Sequence, residues 1–154
     1  MQTGISTSAE SLTVDVGAYV DPADSQGLEI LMVDYIWDDT SNLPVPNTAQ
    51  RATAQLKDNT NGDLVAPTNL HLISSGHLSV DTDGFMSSTT DVFPDRLMLG
   101  KDGGRVVVND QLEFVVKGSA TSASSRCTVR ICARVVKLTK KDYMTLALQT
   151  VADN

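Results

Sequence analysis

Aromatic side chains are scarce in this chain: one tryptophan, three tyrosines and three phenylalanines make up 5% of it. Sugar-binding faces are built on exposed aromatic planes, so this composition weighs against one. Histidine is scarcer still. His71 and His77 are the only two, and they stand in none of the HxH, HxxxH or HExxH spacings that bring imidazoles onto one metal. A metal-dependent hydrolase would need both to converge with a carboxylate. The strained Gly-x-Ser-x-Gly elbow of a serine nucleophile is missing, and the glycine-rich Gly100-Lys-Asp-Gly-Gly104 lacks phosphate-loop spacing. Catalysis is therefore not expected, nor is a cofactor, a metal or a small-molecule substrate.

Cysteine is equally sparse. Cys127 and Cys132 lie five apart, an odd offset that puts them on opposite faces of one strand, where they cannot bridge. They read as two free thiols, one of them in the core, in a reducing compartment. The longest unbroken aliphatic run, Ile30 to Val33, is far short of the roughly 20 residues that cross a bilayer as a helix. The N-terminal stretch has neither the basic start nor the apolar centre of a secretory signal. These absences lead to the expectation of a protein made soluble in a cytoplasm.

What the chain has is a split of charge. Residues 1 to 100 hold fourteen acids against three bases, a net of −11, while residues 101 to 154 hold nine bases against five acids, a net of +4. Six of the twelve basic residues, Arg126, Arg130, Arg134, Lys137, Lys140 and Lys141, fall within one short stretch. Such asymmetry points to an electrostatically complementary neighbour or a polyanion, although a chain of net charge −7 is a poor non-specific nucleic-acid binder.

It also has alternation. Cys127, Val129, Ile131, Ala133 and Val135 alternate with Arg126, Thr128, Arg130, Cys132 and Arg134, the signature of a strand with one apolar face. Positions four apart on a strand lie about 13 Å from one another, so the three arginines form a line of positive charge. That line is either a solvated face with cross-strand partners such as Glu113, or a surface that docks onto acids. Leu12 to Val20 alternates as a half-buried strand. Leu28 to Trp37 is apolar on both faces and is expected to be central and covered on both sides. Arg51 to Lys57, Leu70 to Val80, Arg105 to Val108 and Gln111 to Lys117 read as further strands. The last two either form a hairpin at Asn109-Asp110 or one bulged strand, and the apolar phase favours the break.

Asn61-Gly62 and Asp81-Thr-Asp-Gly84 read as turns, and neither acid-rich loop has the calcium-loop pattern. Residues 1–10 are expected to be a flexible start, 85–95 and 119–125 loops. Thr139-Lys-Lys-Asp142 resembles a capping box, after which Tyr143, Leu146, Ala147 and Thr150 recur at helical spacing, predicting a helix over 140–150. Residues 1–154 thus form a single all-β domain, a two-sheet antiparallel β-sandwich of jelly-roll type with one short C-terminal helix.

With an early strand pair, long loops, a late strand pair (Arg105 to Lys117, Arg126 to Lys137) and a basic tail segment, the chain resembles the small single jelly-roll capsid proteins of tailless icosahedral viruses. The resemblance implies a structural subunit located in a virion, self-associating into a shell through loop contacts around Pro44, Pro46, Phe85, Phe93 and Pro94. The partners implied are other copies of itself, with a second capsid protein or an anionic lipid or genome surface as further candidates. The alternative is a carbohydrate-binding-like sandwich module or a phage accessory protein. A module of that kind would show Trp37, Tyr19 and Tyr35 on one exposed face.

Overall fold

The computed structural model describes residues 1–38, 48–92, 100–119 and 122–152. Nine strands run through these residues: β1 (Gln2–Ile5), β2 (Glu10–Asp15), β3 (Gln26–Asp38), β4 (Gln50–Lys57), β5 (Leu72–Val80), β6 (Met86–Val92), β7 (Arg105–Val107), β8 (Gln111–Gly118) and β9 (Ser122–Lys137). A helix, α1 (Lys140–Ala152), closes the chain. Thr139 caps it as the sequence suggests, its Oγ1 accepting from Asp142 N at 3.1 Å and donating to the Asp142 carboxylate at 2.7 Å.

The strands form two antiparallel sheets, in the order β1-β9-β3-β7 and β2-β8-β4-β5-β6. Their pairing is nested. β4 pairs with β5, β3 with β7, β2 with β8 and β1 with β9, so the chain is one long ribbon folded back and rolled. That is the jelly-roll wrapping of a β-sandwich, and β6 joins outside the nest as an edge beside β5. Ile5, Ile30, Val33, Leu56, Ile73, Leu112, Phe114, Val116, Cys127 and Val129 fill the space between the sheets. Tyr35 lies across this core against Phe114, ring centroids 6.3 Å apart, and its hydroxyl donates to the Ser74 carbonyl at 2.9 Å.

Several expectations need correction. Residues 1–10 are not a loose start, because β1 pairs with β9 and buries Ile5. Met86 to Val92, expected as loop, is an edge strand; Ser122 to Ser125, also expected as loop, begins β9. The break at Asn109-Asp110 is present, yet β7 and β8 do not pair as a hairpin: the chain crosses there from one sheet to the other. β3 is not covered on both sides. Its inward Leu28, Ile30, Val33 and Tyr35 are buried, whereas Leu31 and Met32 are exposed. Of the loop contacts, Pro44, Pro46, Phe93 and Pro94 lie outside the described residues, and Phe85 is 75% exposed.

Candidate interaction surface

β9 places Arg126, Arg130 and Arg134 on the outer face of its sheet, as the alternation requires. Their neighbours on β3 are Asp38, Asp34 and Glu29, each directly opposite. Glu29 and Asp34 are five apart and would face opposite ways on a regular strand. The register runs from Ile30↔Ala133 to Met32↔Cys132, so Leu31 is an extra residue whose bulge brings both acids to the arginine face.

The pairs differ in kind. Arg130 and Asp34 meet with both side chains exposed, a contact worth at most about 1 kcal/mol. Arg134 reaches a buried carboxylate: its Nε and Nη2 donate to Glu29 Oε2 at 3.0 and 2.8 Å, and it also pairs with Asp102. The other Glu29 oxygen accepts from Gly104 N at 3.3 Å and Asp102 N at 3.4 Å, fastening the 100–104 loop to the sheet. Gly104 must be glycine there, because a Cβ would come within 2.6 Å of the Ile30 carbonyl oxygen. Arg126 forms no ion pair among the described residues; Asp38 opposite it accepts from Gln2 and Thr128 instead.

The stripe is therefore largely a neutralised ladder. Its partners are not Glu113, which lies in the other sheet, buried against Lys57 at 2.8 Å. At the end of β9 and the start of α1, Lys137, Lys140 and Lys141 are exposed and take part in no ion pair among the described residues. Arg134, Lys101 and Lys137, with Glu29, wall a cleft of about 230 Å³ on this outer face.

Beyond the stripe lies a rim the sequence did not announce. The amine of Met1 donates to the Val129 carbonyl at 3.0 Å, and β1 pairs no further along β9 than this. From Arg130 to Lys137 β9 is paired on one side only among the described residues. Ala133 and Val135 point inward opposite Ile30 and Leu28, yet Val135 remains 45% exposed. β2 is the outermost strand of the second sheet on the same side, since β1 touches both β2 and β8. Its Leu12, inward opposite Phe114, is 38% exposed. Each of the two strands thus leaves an inward-facing apolar side chain open to water. Glu10, Asp15 and Asp110 are exposed on the β2 side.

The remaining candidates resolve into structural roles. His71 pairs with Asp58 at 2.7 Å, both almost wholly buried, and Asn109 and Arg105 reach the same place. With Lys57, whose ammonium donates to the Asp63 carbonyl at 2.6 Å, these residues pin the 58–71 segment over the outer face of the second sheet. His77 is exposed and meets Thr53 Oγ1 at 3.1 Å, so the two histidines do not converge. No group of three metal-ligating side chains occurs among the described residues. Tyr35 is buried, Trp37 partly so and Tyr19 exposed, hence the three do not share an open face. Both cysteines are free, Cys127 buried and Cys132 exposed. No helix among the described residues is long and apolar enough to cross a membrane.

No family model, curated protein or solved structure matches the chain.

Proposed function

We propose that this chain is a structural subunit of a virus capsid, whose work is to pack against further copies of itself into a shell. The observation that carries this reading is the open rim, where β2 and the second half of β9 leave Leu12 and Val135 exposed, with acids on the β2 side and lysines on the β9 side. Apolar side chains that point toward the core yet remain open to water gain stability when a neighbour covers them. The outer apolar residues of α1, Met144 and Leu148, at 57% and 63% exposure, add a second such surface. A jelly roll by itself hosts many functions, so fold alone does not carry the reading. What favours a shell is a surface that one copy can offer to the next, because closed assemblies reuse one patch many times and modest contacts multiply. This reading assigns the chain no catalytic step. Its place is the virion, and its partners are its own copies.

Negative-stain electron microscopy of concentrated protein at low salt tests it. Closed particles or regular sheets are the expected result. A field of isolated monomers at every concentration overturns the reading.

A further inference from the structure

We propose that the rim formed by β2 and the second half of β9 is a self-complementary docking face for a second copy of this chain, each copy's β9 edge lying along the other's β2 edge. The inference rests on the shell reading and names the first contact of the assembly.

β2 is the outermost strand of its sheet, and beyond Val129 β9 has no partner strand on the β1 side among the described residues. Residues 130 to 137 of β9 extend about 26 Å, with one row of backbone groups unpaired among the described residues. Among the described residues β2 pairs only with β8 and presents a second such row. Open rows of this kind are templates for a strand from another chain.

Charge selects which edge meets which. On the β9 side Arg130 and Arg134 are already matched by Asp34, Glu29 and Asp102, leaving Lys137, Lys140 and Lys141. On the β2 side Glu10 and Asp15 stand at the two ends of the strand, with Asp110 beside Asp15. Two β9 edges would bring lysines together, and two β2 edges would bring carboxylates together. Only the unlike pair brings opposite charges into contact. Charged residues guard edges against unwanted pairing; here each edge has a guard of one sign, which bars like from like and leaves the unlike pair open. One rim that carries both edges satisfies a two-fold contact, in which the same patch serves both partners. Leu12 and Val135, exposed on the two strands beside the partly buried Val14 and Ile131 of the same strands, supply apolar surface for the second copy to cover.

Sedimentation equilibrium at low salt tests the pairing with two charge-reversed proteins, Glu10→Lys with Asp15→Lys, and Lys137→Glu with Lys140→Glu and Lys141→Glu. Each alone is expected to self-associate on the order of tenfold more weakly than the wild type. Their equimolar mixture is expected to regain association as a heterodimer. Val135→Ser, at a position already half exposed, weakens association without touching the charge pattern, and thermal melting verifies that every variant is folded. If the wild type associates and the reversed proteins associate as tightly, or if their mixture is no tighter than either alone, the rim pairing is overturned while the shell reading stands. A wild type that is monomeric throughout overturns both.

Discussion

Cys127 and Cys132 sit on one strand and meet different fates. Burial, reinforced by the Asp38 carboxylate, pushes the Cys127 thiol up to about 12 from an ordinary 9.0. The folded chain then holds this proton more tightly than the unfolded chain does. The stabilisation is complete below the unfolded value and is lost as pH rises toward the folded one. Cys127→Val is therefore expected to lose less stability between about pH 8 and about pH 10 than the wild type, read as denaturation midpoints. A thiol reagent should label Cys132 at once and Cys127 only as fast as the protein opens. Gly76 makes a second residue-scale case. A Cβ there would lie 2.6 Å from the Tyr35 ring, which is fixed by Phe114 and by its bond to Ser74. Gly76→Ala should cost about 1–3 kcal/mol in chemical denaturation; an unchanged midpoint would show that the ring gives way freely.

Strands with one apolar face were legible because their period of two survives any neighbour. β4, β8, β9 and the start of α1 fall close to where alternation and capping put them, whereas the strand read from Leu12 to Val20 ends at Asp15 and gives way to a 3-10 turn at Gly17–Tyr19. β1 and β6 left no such trace: β6 is Met-Ser-Ser-Thr-Thr-Asp-Val at the outermost edge of its sheet, polar where an alternating strand would bury residues. The bulge at Leu31 was also hidden, and with it the acids of β3 that neutralise the arginines. Those two acids, Glu29 and Asp34, could have been noticed as carboxylates interrupting an apolar strand. The two ladder contacts make different predictions. Truncating both Arg130 and Asp34 should give a coupling below about 1 kcal/mol in a double-mutant cycle. Arg134→Met leaves the Glu29 carboxylate buried with only two long backbone bonds, and should cost about 2–3 kcal/mol. Equal costs at the two positions would contradict the burial argument.

At the scale of the whole molecule the sequence indicated a sandwich without revealing how the ribbon rolls. Periodicity states which face of a strand is apolar and says nothing about which sheet it joins, so the crossing at Asn109-Asp110 looked like a hairpin. The rim is a product of that rolling. Among the described residues β1 pairs with β9 only as far as Thr128, and the second half of β9 runs on without a partner strand on that side. No local pattern encodes a difference in length between strands so distant in the chain. The uncompensated lysines were singled out in the sequence, but alongside arginines that the fold largely neutralises. Of the six basic residues first considered, Lys137, Lys140 and Lys141 now carry the interaction argument.

The most direct test of self-association is sedimentation velocity across a series of protein concentrations at low and then high salt. The account predicts species larger than the 16.5 kDa monomer that grow with concentration and recede as salt screens the charged borders. A single monomeric boundary at every concentration and at low salt would contradict it.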